Sequence, residues 1–236
     1  MPGSNVFSQA LALFFPMHRD GYKFVALAAA LTAVLFFLSA TLGILSLFAT
    51  VALVFFFRDP ERTVPVRDGL VLAPADGTII SIGNAVPPQE LGLGGTPLLR
   101  VSIFLSLFDV HVVRAPVAGR IEVSFHRPGQ HHNAAAPEAP AENECQGFAI
   151  ESKDALRIGA VLVAGTAARR IVTSVGQGDQ VTAGQRIGII RFGSRADIYL
   201  PFPACLLVEE GQRSVAGETV IADLESREPR RIFRRI

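Results

Sequence analysis

The sequence predicts a mainly β domain set behind an N-terminal helical membrane segment. Three observations carry that expectation. One uncharged apolar run fills residues 24–57. Beyond it the chain is written in short apolar runs with β-branched residues, broken by Gly, Pro and Asp. A phrase of turn, strand, Ala-Gly and strand then occurs twice, at 178–188 and at 211–221.

The apolar run lies between Lys23 and Arg58 and spans 34 residues. A bilayer core takes about 20 residues of helix, so the run is long for one span and short for two. Ser39, Thr41 and Gly43 sit near its middle, where a break costs least. Either a long tilted helix or a tight hairpin fits. Positive charge stands on both flanks, Arg19 and Lys23 before, Arg58, Arg62 and Arg67 after, which favours the hairpin with both ends cytoplasmic. A secretory signal fits poorly, because the run outlasts an h-region and no small-x-small site follows. Ahead of it, Ala10 to Pro16 suits the membrane interface. The organisation read from this is a membrane-associated helical segment over 1–57 and a β-rich domain over 58–236.

After the charged break Arg58-Asp59-Pro60-Glu61-Arg62, residues 71–83 read as strand, turn, strand, and 100–107 as an apolar strand running into Phe108-Asp109-Val110-His111. The phrase Ala-Pro-x-x-Gly-x-Ile occurs at 73–79 and again at 115–121. Residues 127–143 are loop-like, rich in Ala and Pro, and long enough to cover a site. No long helix-period segment appears after residue 58. The doubled phrase near the C-terminus resembles the hammerhead hairpins of lipoyl and biotinyl carrier domains, so the β domain is expected to be a barrel-sandwich, lipoyl-like fold. The five arginines of 227–236, interleaved with Ile232, Phe233 and Ile236, suit either a solvated tail or an anionic membrane surface.

Composition excludes several functions. A net charge of +1 gives no argument for nucleic acid. Cys145 and Cys205 form no CxxC pair, which fits a reducing compartment without disulfides or a cysteine zinc site. Adjacent His131 and His132 are not at ligand spacing, so no metal is expected. Arg169-Arg170, between two apolar runs, suits a lipid phosphate or a basic strand edge equally.

The chemistry-bearing stretch is 189–201, where β-prone residues flank Gly193-Ser194. Gly193 permits backbone angles that bring a serine hydroxyl over the preceding carbonyl. Such a hydroxyl attacks its own peptide bond, and the resulting ester can eliminate to dehydroalanine and hydrolyse to a pyruvoyl end. Taken alone, the dipeptide is more simply a turn.

Several phrases in register change that weighting. They are Phe57-Arg58-Asp59-Pro60, Ala73-Pro74-Ala75-Asp76-Gly77, the run from Phe104 to His111, and Arg114-Ala115-Pro116-Val117-Ala118-Gly119. Glu142-Asn143-Glu144, Ala168-Arg169-Arg170-Ile171-Val172 and Phe192-Gly193-Ser194-Arg195, with Asp197 and Tyr199-Leu200-Pro201, complete the set. Together, over about 18–223, they resemble the phosphatidylserine decarboxylases in their short, type A prokaryotic form.

The resemblance implies a proenzyme cut between Gly193 and Ser194, with 1–193 and 194–236 staying together as a heterodimer. It implies a covalent pyruvoyl cofactor made from Ser194, which forms a Schiff base with phosphatidylserine and releases CO2 to give phosphatidylethanolamine. Asp76 matches the family aspartate that works with a histidine on the serine; either His111 serves as that histidine in both steps, or Arg114, at the position of a second family histidine, and Asp76 share the work differently. Longer relatives carry a second histidine where this chain has Arg114, which then suits a substrate phosphate or carboxylate. Asn143 and Glu144 match pocket residues, although Cys145-Gln146 follows where relatives often have arginine, and a loop-end role fits equally. The implied partners are a phospholipid and the membrane, at the cytoplasmic face and peripheral or monotopic, with a higher oligomer left open. The competing reading is a membrane-anchored barrel-sandwich adaptor without catalysis. It lacks support, since the chain has no coiled-coil heptads, and neither Lys23 nor Lys153 sits at a hairpin tip.

Overall fold

The computed structural model describes residues 16–136, 138–166, 170–191, 193–226, 228, 231 and 233. The interfacial stretch 10–15, Arg169 and most of the arginine-rich tail lie outside the described residues. The chain packs as two compact units, Met1–Glu61 and Arg62–Ile236.

The first unit is a helical hairpin. Helix α1 (Gly21–Leu38) and helix α2 (Ala40–Phe56) are separated by Ser39 alone, in extended conformation. The break falls at Ser39, within the stretch from Ser39 to Gly43 where composition makes it cheapest. Gly43 has another use: a Cβ there would stand 2.4 Å from the Phe36 ring, so its absence lets α1 lie against α2. The helices hold together as membrane helices do, through small and hydroxylated residues rather than apolar burial. Thr32 Oγ1 donates to the Ala28 carbonyl and lies 2.8 Å from Ser46 Oγ and 2.9 Å from Thr50 Oγ1. Outward-facing Leu27, Leu31, Phe37, Leu38, Leu45 and Phe48 are exposed. At the open end, Met17 and Arg58 form an antiparallel bridge. Helix α1 is long and apolar enough to cross a membrane.

The second unit is mainly β, as expected, and its one described α-helix is the four-residue α3 (Ala139–Glu142). Strands β1 (Leu70–Leu72), β2 (Gly77–Ala85), β3 (Leu98–Leu105), β4 (Val112–Arg114) and β5 (Gly119–Arg127) come first. Then follow β6 (Cys145–Glu151), β7 (Arg157–Ala164), β8 (Ile171–Thr173), β9 (Gln180–Val181) and β10 (Arg186–Ile190). The chain closes with β11 (Ser194–Leu200), β12 (Cys205–Leu206), β13 (Arg213–Ser214) and β14 (Val220–Asp223). An eight-stranded sheet runs β13-β2-β3-β11-β7-β6-β5-β9, and two three-stranded sheets run β1-β14-β12 and β4-β10-β8.

The doubled phrases explain why the large sheet curls. At one edge Ile79 N donates to Gln212 O, Gly211 N to Ile79 O and Gly217 N to Ala73 O. At the other, Ile121 N donates to Asp179 O, Gly178 N to Ile121 O and Gly184 N to Ala115 O. Each Ala-Pro-x-x-Gly-x-Ile phrase is thus clasped by its own hairpin. The two phrases also bind each other, Leu72 N to Pro116 O and Arg114 N to Pro74 O. Opposite ends of one sheet are drawn together, giving a half-barrel filled by Val71, Ile79, Ile103, Leu105, Val113, Ile121, Ile190, Ile198 and their neighbours.

The other face of the large sheet is covered in part by a 3-10 helix, Gln89–Leu91, and carries Leu91, Cys145, Val161, Val163 and Tyr199. Burial and the Asp197 charge push the Tyr199 hydroxyl up to about 12, despite its hydrogen bond with Arg100. Beside it, Arg195 Nε donates to Asp197 Oδ1 at 2.6 Å and its guanidinium reaches Ser102 Oγ and the Ala136 carbonyl. Both members of this ion pair are essentially without solvent contact.

Candidate active site

Strand periodicity sets where Ser194 faces. It opens β11 and pairs with Leu105 of β3 on one side and Ala164 of β7 on the other. Directly opposed residues share a face, so Ser194 points with Leu105 and Ala164 toward the half-barrel interior, while Arg195 points the other way. Ser194 is fully buried, and its Oγ has no hydrogen-bond partner among the described residues. A buried hydroxyl normally finds one, so an unused one at a strand's first residue is a candidate for chemistry.

The peptide before it is set by two glycines. Gly193 has φ +52°, in the left-handed region. Its carbonyl oxygen lies where Gly165 has no side chain: a Cβ on Gly165 would meet that oxygen at 2.1 Å and the carbonyl carbon at 3.0 Å. Gly165 therefore backs the carbonyl of the 193–194 peptide. Sequence reading missed it, since it follows β7 at a distance of 28 positions from Gly193. Only its place after an apolar run, in Val163-Ala164-Gly165, hints at it.

His111 sits beside this segment because β4 pairs with β10, which leads into residues 191–193. Ile190 N donates to the His111 carbonyl. The imidazole is completely buried, and Nδ1 donates to the Asp109 carbonyl at 2.9 Å. With Nδ1 carrying the hydrogen, Nε2 is the basic nitrogen of the neutral ring. The Asp109 carboxylate shapes the turn that presents His111: it accepts from Ser106 N at 2.8 Å, from Ser106 Oγ at 2.7 Å and from Arg213. Burial pushes its carboxyl up, and the Arg213 and Ser106 hydrogen bonds more than offset that, holding it below the ordinary value.

Asp76 precedes Gly77, which falls in the row of Leu105 and Ser194 across β2, β3 and β11. Two strand spacings put that row's ends about 10 Å apart. The carboxylate is held by Arg62 Nη2 at 2.7 Å and by Ala216 N at 2.7 Å. The structure therefore gathers Gly193, Ser194, Asp76 and His111 at one end of the curled sheet. It draws no hydrogen bond from Ser194 to either Asp76 or His111.

The remaining expected residues have framing contacts. Buried Arg114 donates to the Gly184 carbonyl at 2.9 Å, and its Cδ fills the space beside Gly217, so it braces the two hairpins. Asn143, fully buried, donates to the His132 and Ala164 carbonyls and accepts from His132 N. It thereby clips the loop over 128–136 to Ala164, the residue opposite Ser194. That is the loop-end role. Glu144 turns to His126, 3.1 Å away, with His131 at 4.0 Å. Among the described residues no His, Cys, Asp and Glu group is arranged to hold a metal.

Comparison with known proteins gives the family of the chain. Residues 50–222 match the family model described as phosphatidylserine decarboxylase. The phosphatidylserine decarboxylase proenzyme of Xanthobacter autotrophicus is 49% identical over 221 residues, covering 94% of each chain. That of Azorhizobium caulinodans is 48% identical over 221 residues, again 94% of each. The proenzyme of Ruegeria pomeroyi is 48% identical over 210 residues, 89% of this chain and 96% of its own.

Proposed function

The chain belongs to the phosphatidylserine decarboxylase family, and on that premise we propose that it is a proenzyme that cuts itself between Gly193 and Ser194 and decarboxylates phosphatidylserine to phosphatidylethanolamine. The observation that carries the cleavage step is local: a buried serine hydroxyl without a partner among the described residues, following a carbonyl fixed against Gly165. Ser194 Oγ attacks that carbonyl carbon. The Gly193–Oγ ester forms as the amide C–N bond breaks. Loss of the serine α-proton expels the Gly193 carboxylate, and water converts the dehydroalanine left behind to a pyruvoyl end with release of ammonia. When formed, that group supplies a ketone that captures the substrate amine and takes up the electrons left by departing CO2.

The residues divide the remaining work. His111, its Nδ1 fixed by Asp109, is the base for the serine protons. Asp76 adds a fixed negative charge at the same end, held in place by Arg62 and Ala216 N. Arg114, Asn143 and Glu144 shape the walls, and substrate contact by any of them is secondary to that framing. The smaller piece, 194–236, would carry β11, wedged between β3 and β7 of the larger piece, 1–193. The cut product is then a heterodimer whose chains share one sheet. The apolar hairpin anchors the enzyme at the cytoplasmic face of the membrane, where its substrate lies.

Intact-mass analysis of the protein beside Ser194→Ala tests this reading. Two fragments in the first, with a blocked residue 194, and one full-length mass in the second are expected. A single mass in both, with the protein folded, returns Gly193-Ser194 to an ordinary turn.

A further inference from the structure

We propose that the turn carrying Leu107 and Phe108 is a lipid-docking tip that seats the entrance of the Ser194 site on a bilayer. This rests on the reading that the substrate is a membrane lipid. Phe108 is 78% exposed and Leu107 53% exposed. They follow directly on β3, whose last residue, Leu105, pairs with Ser194. The tip therefore stands at the reactive end of the sheet. Val86 and Phe202, also exposed, stand beyond β2 and β11 at the other end. Two large apolar side chains next to each other, on a turn that ends in His111, are poor surface chemistry for water.

The turn is also built to hold them out. Asp109 accepts from Ser106 N, Ser106 Oγ and Arg213, and is itself buried. Those bonds fix the four-residue turn from below, so Leu107 and Phe108 have no freedom to fold inward. The charges around the tip favour an anionic lipid surface over a neutral one. The Arg213 side chain is 62% exposed beside Asp109. Arg170 is exposed where its carbonyl accepts from Arg191 N, at the same end of the molecule. Three acids at this end are paired, Asp109 with Arg213, Asp76 with Arg62 and Glu144 with His126, while Glu138 and Glu142 are exposed on the neighbouring loop. An apolar tip with exposed arginine side chains beside it is a pattern by which peripheral proteins enter the headgroup layer of an anionic leaflet. A phospholipid leaving its acyl chains in that layer would present its headgroup toward the buried end where Ser194 lies.

The chain contains no tryptophan, so Phe108→Trp installs a single reporter in the full-length protein. The probe is vesicles of phosphatidylcholine and phosphatidylglycerol carrying brominated acyl chains, a mixture the enzyme does not consume. Emission from the Phe108→Trp protein should shift to the blue and be quenched, while a Phe202→Trp protein, reporting from the opposite end, should show neither change. Unquenched emission from Phe108→Trp, whether or not the protein sediments with vesicles, overturns the proposal. So does equal quenching at both positions. Leu107→Trp serves in its place should Phe108→Trp not fold. A companion Leu107→Glu/Phe108→Glu protein should cut itself normally and keep its turnover of monomeric short-chain phosphatidylserine within about twofold. On vesicular phosphatidylserine its activity should fall about tenfold or more, through KM. Loss on both substrates alike assigns the turn to the site itself and overturns the docking role. If the unaltered protein decarboxylates neither substrate, the enzymatic reading fails, while the quenching comparison still decides the docking.

Discussion

Gly165→Ala should stop the chain from processing itself without unfolding it. The added Cβ would fall 2.1 Å from the Gly193 carbonyl oxygen and 3.1 Å from Ala134 Cβ. A carbon and a carbonyl oxygen approach no closer than about 3.3 Å even in favourable C–H···O contacts. The carbonyl must therefore retreat by about 1 Å, and it is the atom pair that Ser194 Oγ has to reach. A misplacement of about 1 Å in an aligned intramolecular attack costs on the order of 100-fold in rate. First-order self-cleavage, followed by intact mass after synthesis is stopped, should slow by about that factor. Trapping of the ester with hydroxylamine should fall in parallel. Gly159→Ala is the control: its Cβ would press on side chains, Leu93 Cδ1 at 2.8 Å and Tyr199 Cβ at 3.2 Å, away from the cut. That variant should lose stability and keep its cleavage rate. A folded Gly165→Ala protein cleaving within about twofold of the unaltered chain refutes the positioning argument.

Replacing His111 by Gln should slow cleavage and decarboxylation by roughly 10²- to 10⁴-fold with the secondary structure kept, read by fragment formation and CO2 release; unchanged rates in both would remove it from the chemistry. Arg195→Met strands the Asp197 carboxylate in a fully buried position, which should lower stability by about 3 to 5 kcal/mol in urea unfolding, whereas Arg195→Met/Asp197→Leu should recover most of it. The Asp109 carboxyl lies below its ordinary value of 3.8, burial opposing the Arg213 and Ser106 hydrogen bonds that set the sign. An acid depressed by folding contributes stability that is complete above that ordinary value and is lost as pH falls below it. Arg213→Met should therefore weaken the protein at neutral pH and flatten the acid limb of its unfolding midpoint; a limb as steep as before would assign the acid sensitivity to other carboxylates.

The parts of the molecule read correctly from sequence are those written in local patterns. The uncharged run had to become apolar helix, and the paired hairpin phrases had to become paired clasps, because a strand period and a tight turn are encoded within a dozen residues. What escaped is what depends on residues far apart. Gly165 looks like any glycine after a strand until β7 is placed next to β11. In the sequence Arg195 and Asp197 carry only a family resemblance; their burial depends on the covering layer around Gln89–Leu91 and on the Ala136 carbonyl, which are distant in sequence. Asn143 was legible as polar and site-associated, yet its partners, His132 and Ala164, are 11 and 21 positions away. The break falls at Ser39, within the Ser39–Gly43 stretch where it is cheapest, while the packing of Gly43 against Phe36 was not legible.

The position of the proposed cut relative to β11 has its own logic. Self-cleavage inside a strand would forfeit ladder hydrogen bonds on both sides; cleavage one residue outside it would leave the nucleophile on a turn with no fixed orientation. Ser194 is the first residue of the strand, with Leu105 and Ala164 already opposite it. Its backbone is therefore as rigid as the sheet, while Gly193 is free to hold the unusual angles that the attack requires. After the cut, the pairings of β11 from Arg195 onward are still available to the smaller piece. On this argument, extending β11 backwards is as harmful as removing the serine. A Gly193→Val chain, which prefers extended backbone over the left-handed region, should stay folded with β11 intact and remain a single chain.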